Sequence, residues 1–271
     1  MSATRTRRVR RPVAAGSFYP GDADELAGVV DDLLAAAATE DVRAAALVVP
    51  HAGYIYSGPV AASAYATLRT IASSISKVVI LGPAHFVLQR GTAVPGVDAW
   101  TTPLGEVAID AELRENALAC GAAVDDAPHA PEHSLEVQLP FLQRLLGPEL
   151  GVLPIAVGMT SPTEVADLIE AFWGRPRTLV VISTDLSHYH EQETARRLDR
   201  RTADAVLARD PSSIGPEDAC GAYALRGLAE HARQNDLEVR LLDLRTSGDT
   251  AGDPSSVVGY GAFALGTAGP G

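Results

Sequence analysis

The sequence predicts an α/β domain built on a largely parallel sheet, and three kinds of pattern lead to that prediction. Short apolar runs of strand length occur at residues 44–49, 77–81 and 178–183, as in strands that are buried on both faces. Amphipathic helical segments alternate with these runs. A loop that carries histidine follows each run, which indicates a site, because ligands bind beyond the carboxyl ends of parallel strands.

The composition agrees with one domain and narrows the choice of partners. The chain has 271 residues, 46% of them hydrophobic, which is enough for one large core. We expect residues 1–271 to form a single domain. Residues 1–8 are expected to be a flexible basic tail, with the arginines as far as Arg10 and Arg11 solvated. The net charge of -12 argues against nucleic acid or an anionic membrane surface as the main partner.

Targeting signals are also lacking in the sequence. No apolar run reaches the roughly 18 residues of a membrane span, and the N-terminus lacks the apolar segment of a signal peptide. We therefore expect a cytoplasmic protein that does not span a membrane.

The first part of the chain reads as a strand, helix, strand unit. After the run at 44–49, a Ser-Gly-Pro sequence predicts a helix from Pro59 to about residue 72, and the run at 77–81 follows it. Such units cross over right-handed and leave their two strands parallel. The histidines that follow the strands, His51 and His85, should therefore lie at the same edge of the sheet.

The other elements are predicted from helix caps, apolar spacing and alternation. The expected helices are those from Asp22 or Asp24 to Thr39, and at 111–119, 133–146, 162–173, 191–207 and 221–234. The expected further strands are 150–157, 237–244 and 257–265, with an inserted hairpin or sheet extension within 86–109. A Ser-Pro-Thr-Glu capping box marks the helix at 162–173, and Pro140 predicts a kink in the helix at 133–146.

Three strand ends should deliver imidazoles to one edge of the sheet. His51 follows the first run, His85 the second, and Asp185 with His188 the third. A lone histidine is more often an ordinary surface or core residue, but three at separate strand ends favour a metal or catalytic site. Two imidazoles with one anionic ligand and open positions are used by non-haem iron oxygenases and by many catalytic zinc sites. The sequence leaves the anionic ligand open among Asp185, Glu132, Glu136 and Cys220.

Two cysteines a hundred positions apart do not form a disulfide framework, so each is interpreted alone. Cys220 lies at a predicted junction between a loop and a helix, where the helix N-terminus lowers a thiol pKa and favours thiolate. It could equally be a small buried hydrophobic residue. Cys120, which lies among alanines, is expected to be structural.

Three further residues near the predicted site have open roles. His133 begins a predicted helix and could support the site, bind substrate or simply cap that helix. Tyr54 and Tyr56 follow His51 closely. They could bind substrate with their hydroxyl-tipped rings, or pack as ordinary loop residues.

Seven motifs in order carry a family resemblance. They are RPVAAGSFYP, PHAGYIYSG, LGPAHF, TPLGEVAID, EHSLEVQLPF, STDLSHY and DACGAYAL. Through them the chain, from about Val9 to Leu265, resembles the Memo family, whose prokaryotic members are labelled AmmeMemoRadiSam system protein B. The resemblance implies a fold similar to that of the LigB-type, class III extradiol dioxygenases. That fold is a three-layer α/β/α sandwich around a mixed, largely parallel sheet.

The resemblance also implies roles for individual residues. His51, His85 and Cys220 match the metal-site positions of the family, while Asp185 and His188 line the same pocket. His188 is similar to the acid/base histidine of the dioxygenases. Those enzymes close their Fe(II) site with a carboxylate where this chain has Cys220. A thiolate shifts the preference towards copper, zinc or thiolate-bound iron, so catechol cleavage is not inherited with the fold.

We expect a metal-dependent redox protein that uses Fe(II) or copper, with zinc as a further candidate. His188, oriented by Asp185, would move protons, and His133 is a further candidate catalytic residue. One alternative is an adaptor whose pocket receives a peptide or protein, since the animal members of the family resemble signalling adaptors. Another is a hydrolase with Cys220 as nucleophile. The family label implies partner proteins of the AMMECR and radical SAM types, beside a small-molecule or peptide ligand.

Overall fold

The computed structural model describes residues 6–38 and 42–266. Its strands are β1 (Val9–Arg10), β2 (Ala46–Val49), β3 (Lys77–Pro83), β4 (Thr92–Val94), β5 (Ala99–Thr102), β6 (Gly105–Ile109), β7 (Ala123–Val124), β8 (Gly151–Val157), β9 (Thr178–Ser183), β10 (His188–His190), β11 (Glu238–Thr246) and β12 (Val257–Gly266). Its α-helices are α1 (Ala23–Ala36), α2 (Tyr54–Tyr65), α3 (Ala111–Ala119), α4 (Leu139–Leu146), α5 (Pro162–Glu170), α6 (Gln192–Leu207) and α7 (Ala222–Gln234).

One mixed sheet carries the strands in the order β1-β5-β6-β8-β3-β9-β2-β12-β10, with β11 paired to β12 and β4 paired to β8 and β7. The central strands β8, β3, β9 and β2 are mutually parallel. They are apolar and buried along nearly their whole length, as strands covered on both faces must be. Because they run in the same direction, the residues that follow β2, β3 and β9 meet at one edge.

Helices flank this sheet and complete the three-layer α/β/α sandwich that the resemblance implies. Helix α2 packs on β2 and β12 beside α1, while α7 packs on β3 and β9 beside α5. Large side chains such as Trp100, Phe141 and Phe263 fill the core between the layers. Among the helices of the described residues, none is both long enough and apolar enough to span a bilayer.

Several local predictions are confirmed. Segment 86–109 is a sheet extension, in which β4 pairs with β8 while β5 and β6 form an antiparallel hairpin. Asp22 caps α1 through its side chain, and Ser161 forms the predicted capping box of α5 with Glu164. The predicted end of the first helix at Thr39 lies outside the described residues.

Two predicted helix starts are wrong. Helix α2 begins at Tyr54 rather than Pro59, because the Gly53 carbonyl accepts the first helical hydrogen bonds and the helix accommodates the proline. Helix α4 begins at Leu139 rather than His133, and residues 134–138 form turns. Pro140 lies in the first turn of α4, where backbone N–H groups have no partner within the helix. The missing N–H of the proline therefore breaks no helical hydrogen bond, and the predicted kink is not needed.

The prediction that the N-terminal arginines are solvated is wrong for Arg10. Its buried guanidinium donates to Glu136 (2.5 Å) and to the carbonyls of His129 (2.8 Å) and Glu132 (2.6 Å), and it lies over the Trp100 ring. Burying a charge costs much less free energy when the charge is paired and hydrogen-bonded, as it is here. Residues 1–5 lie outside the described part of the chain, and the single domain over 1–271 stays a prediction.

Candidate metal centre

The His51 imidazole lies just beyond β2, and hydrogen bonds behind the ring fix its tautomer. Its Nδ1 is 2.9 Å from Ser183 Oγ at the end of β9. The Ser183 hydroxyl donates its only proton to the Ser134 carbonyl (2.7 Å) and accepts an N–H from the Gln138 amide (2.8 Å). That amide is oriented in turn by the Pro50 carbonyl (3.1 Å). Ser183 can therefore only accept from His51, so Nδ1 carries the proton and Nε2 is unprotonated.

A carboxylate fixes the His85 ring in a similar way. Glu132, which is fully buried, accepts from His85 Nδ1 (2.9 Å) and from the backbone N–H groups of His85 (2.7 Å) and Ser134 (2.9 Å). Burial alone would raise the pKa of Glu132, but its hydrogen bonds and the proximity of His85 lower that pKa to about 2. An ionised carboxylate only accepts, so Nδ1 of His85 is protonated and its Nε2 is free. Metal-binding histidines are commonly oriented by such a carboxylate.

His133 supplies a third imidazole. Its ring stacks on His85, with centroids 5.0 Å apart, and its centroid lies 4.2 Å from that of Phe18. One ring nitrogen from each of His51, His85 and His133 lies within 4.8 Å of the others, so this group of described residues could hold a metal ion. Burial lowers the pKa of His51 to about 3 and that of His133 to about 4. Both rings are therefore neutral at pH 7, as metal ligands must be.

Cys220 contacts this cluster through His51. Its Sγ lies 3.3 Å from His51 Nε2 and accepts the backbone N–H of Asp185 (3.2 Å). A sulfur and a nitrogen that ligate one zinc ion tetrahedrally are about 3.5 Å apart, so the observed separation suits a shared ion. Burial, followed by the charge of Asp185, raises the pKa of the Cys220 thiol. The predicted lowering of this pKa by the helix N-terminus is therefore wrong, because desolvation outweighs the helix.

Asp185 and His188 reach the same cavity but are not bonded to each other. Asp185 Oδ1 accepts the backbone N–H of His51 (2.7 Å), and Oδ2 lies 4.0 Å from His51 Nε2. Among the described residues, the carboxylate thus orients the His51 loop rather than the His188 ring. Burial raises the pKa of Asp185. His188 lies on β10 and lines the cavity.

The other candidates for an anionic ligand have structural partners. Both oxygens of Glu136 are occupied by Arg10, the Tyr19 hydroxyl (2.6 Å) and the backbone N–H groups of Val13 and Ala14. Glu136 therefore anchors the N-terminal segment away from the histidine cluster. Glu132 orients His85 as described. Cys120 is exposed, at the end of α3.

The structure does not bring the two tyrosines to the cavity. Tyr54 is buried in the core beside Phe141, and its hydroxyl donates to the Val137 carbonyl (2.7 Å). Tyr56 is partly exposed on α2, and neither ring is among the described residues that line the cavity. The early start of α2 explains this, because it places both tyrosines on a helix instead of a loop.

The predicted residues His51, His85, His133, Asp185, His188 and Cys220 share one cavity of about 790 Å³. Sequence reasoning did not assign Phe18 and Tyr189, which also line it, although each lies in one of the seven motifs. It also did not identify Ser183 and Gln138 as the support of His51. No local pattern indicates that support, since the bonds join segments distant in the chain.

Comparisons with known proteins show the family of this chain. The profile of the family described as Memo-like protein matches residues 10–264. A MEMO1 family protein of Aquifex aeolicus is 39% identical over 93% of this chain and 97% of that protein. MEMO1 family proteins of Desulfurococcus amylolyticus and Methanosarcina acetivorans are 34% and 33% identical, each over 94% of this chain and 98% of the relative. Since the profile covers most of the chain and the relatives align over nearly their full length, this protein belongs to the Memo-like family.

Proposed function

We propose that the protein binds iron or copper at His51, His85 and Cys220, with His133 as a further donor, and carries out redox chemistry on a small substrate. One observation carries the proposal. The two imidazoles His51 and His85 have their Nδ1 protons committed to partners behind the rings. Their unprotonated Nε2 atoms therefore point away from these partners and can bind an ion, which at His51 would replace the proton that the Cys220 thiol donates to Nε2 over 3.3 Å.

The donor set fits these metals. Imidazole nitrogens suit iron, copper and zinc, and a thiolate favours copper(I), zinc or thiolate-bound iron over magnesium or calcium. An iron or copper ion held there would supply one-electron redox chemistry and Lewis acidity.

The residues around the donors have separate tasks. His51 is buried, so its ring is shielded from bulk water, and Cys220 is half-buried beside it. Asp185 holds the His51 loop through the backbone N–H. His188 lies in the same cavity with its ring partly accessible, and we assign it the transfer of protons to and from substrate.

Metal analysis of protein purified anaerobically tests the site. We expect about one ion per chain in the wild type, and loss of most of it in His51→Ala, His85→Ala and Cys220→Ala. Cys120→Ala is the matched control, because Cys120 is exposed and outside the cavity. Circular dichroism and thermal unfolding establish that each variant is folded. Unchanged metal content in the three variants would refute the proposed ligands.

Oxygen uptake by iron-loaded and copper-loaded protein tests the chemistry. A panel of catechols and hydroquinones is the first choice, because these small aromatic diols coordinate metals and are readily oxidised. We expect uptake with at least one of them, and its loss in His188→Ala at unchanged metal content. No uptake across both metal forms would remove the redox part of the proposal and leave the metal site to be judged separately.

A second candidate function is binding of a peptide or protein in the same cavity. Exposed aromatic rings favour it, since Tyr189, which lines the cavity, is 79% exposed and Phe86, which contacts the His85 and His133 rings, is 61% exposed. Partners of the AMMECR and radical SAM types stay a prediction. The raised pKa of the Cys220 thiol disfavours the hydrolase, because an attacking cysteine must be a thiolate.

A further inference from the structure

A second cavity lies beside the histidine cavity, at the carboxyl ends of β3 and β8. Its volume is about 370 Å³, and Phe86, Val87, Leu88, Met159 and Tyr223 form much of its wall. An apolar cavity of about 150 Å³ in another protein holds benzene, so this one has room for a substituted ring or a medium alkyl chain. Its predominantly apolar lining is typical of small-molecule sites.

The two cavities have two wall residues in common, His85 and Cys220. Both are proposed metal ligands. A molecule whose polar atoms approach the ligand cluster therefore lies next to the apolar walls as well. This position at the carboxyl edge of the central strands is where α/β sheets commonly bind their ligands.

The apolar wall is held in place by the backbone. The loop at 84–91 is attached to the end of β8 through hydrogen bonds from Met159 N–H to the Gln89 carbonyl (3.0 Å) and from Gly158 N–H to the Gly91 carbonyl (2.9 Å). A Cβ atom at Gly158 would lie 2.0 Å from the Gln89 carbonyl oxygen, so only glycine allows this approach. The same loop holds Leu88 in the cavity wall with 81% of its surface exposed.

We propose that the second cavity binds the apolar part of the substrate whose polar atoms reach the histidine cluster. The substrate class is therefore a small amphipathic molecule, with a metal-coordinating polar group at one end and an alkyl or aryl group at the other. This inference rests on the proposed metal-binding function. It adds a specificity-determining site formed by Val87, Leu88, Met159 and Tyr223.

A series of alkyl hydroxamates tests the inference, because the hydroxamate group coordinates metal and its tail can be lengthened without changing the head. Titration of the cobalt(II)-substituted protein, followed by its visible absorption, gives the affinity of each compound. Each buried methylene is worth up to about fourfold in affinity. We expect hexanohydroxamate to bind at least about tenfold more tightly than acetohydroxamate.

Matched variants assign the effect to this cavity. Met159→Gln keeps the shape of the side chain but makes it polar, and should remove most of the tail-length dependence while leaving acetohydroxamate affinity unchanged. Leu118→Gln is the control, because Leu118 is 38% exposed, close to the 39% of Met159, and lines neither cavity. Both changes affect partly exposed positions, so the fold should be retained.

The outcomes separate this inference from the proposed function. Equal affinity for short and long hydroxamates would overturn the second cavity as a substrate site while supporting the metal centre. Full tail-length dependence in Met159→Gln would overturn the second cavity in the same way. If cobalt is not retained, or acetohydroxamate does not bind at all, the proposed metal centre itself fails and this inference fails with it.

Discussion

The Ser183 hydroxyl behind His51 has one proton but three hydrogen-bonding partners, so it can donate to only one of them. Replacing this serine therefore tests the site. Because the proton goes to the Ser134 carbonyl, the hydroxyl must accept from both His51 and Gln138. Ser183→Ala removes the acceptor that selects the His51 tautomer. We expect metal affinity to fall about tenfold to hundredfold, as for other supporting partners of metal ligands, measured by competition with a chelator.

Ser63→Ala is the control for this change. Ser63 is a partly buried serine of α2 whose hydroxyl contacts the Pro59 carbonyl and Asp243, outside the cavity. The metal affinity of the Ser63→Ala variant should equal that of the wild type. Wild-type affinity in Ser183→Ala would contradict the tautomer argument, and an equal loss in both variants would indicate general destabilisation instead.

The Cys220 thiol must lose its proton before the sulfur can bind a metal. Because burial raises the pKa of this thiol, the proton is still present between pH 7 and 9. We expect metal uptake to release about one proton from the thiol, and affinity to rise about tenfold per pH unit in that range. His51 and His133 contribute no proton there, since burial lowers their pKa values to about 3 and 4.

Calorimetry in buffers of different ionisation enthalpy measures the released proton. Cys220→Ala should abolish the release and flatten the dependence on pH, whereas Cys120→Ala should behave as the wild type. A proton release that survives in Cys220→Ala would mean that sulfur is not a ligand.

At the scale of elements, the sequence predicts helices well where local signals act alone and less well where distant side chains intervene. Ser161 and Glu164 define the start of α5 by bonding to each other, and that start is confirmed. The start of α4 is different. Its apolar spacing reaches back towards His133, but Gln138 bonds to the Pro50 carbonyl, 88 residues away, and the chain forms turns up to that point. Periodicity cannot reveal such a partner.

Strand β10 stores backbone strain at the cavity. Tyr189 has φ of 60°, which bulky residues rarely adopt, and the pairing of β10 with β12 shifts register between His188 and His190. The ring is largely exposed and lines the cavity, so packing does not compensate for the strain. We expect Tyr189→Gly to raise the free energy of unfolding by about 1 kcal/mol, because glycine adopts positive φ freely. Urea denaturation measures the change.

Arg177→Gly provides the comparison, since Arg177 also has φ of 60° but does not line the cavity. It should stabilise the protein by a similar amount. Only Tyr189→Gly should weaken binding of catechol to the iron-loaded protein. A lower free energy of unfolding in Tyr189→Gly would show that the ring stabilises the fold. It would contradict the interpretation that the strain at Tyr189 serves ligand binding.

At the scale of the whole molecule, the sequence predicts which residues converge but not what supports them. His51, His85 and Asp185 each follow a predicted strand, and strands joined through a helix run parallel. These two observations are sufficient to place the three residues at one edge of the sheet. The supports come from elsewhere in the chain. Glu132 lies 47 residues from His85, and Ser183 lies 132 residues from His51. Only the completed sheet brings such pairs together. A serine or a glutamate is too common in sequences to indicate that it supports a distant histidine.

The buried Arg10 joins the N-terminal segment to the segment that carries Glu132 and His133. Removing it leaves Glu136 as an uncompensated buried charge, so we expect Arg10→Ala to lower the free energy of unfolding by about 3–5 kcal/mol. Metal affinity should fall as well, because the Glu132 carbonyl loses its partner. Arg8→Ala breaks an exposed pair with Asp126 and should cost less than about 1 kcal/mol. Urea denaturation of both variants measures these losses, and similar small values would mean that the N-terminal segment does not support the site.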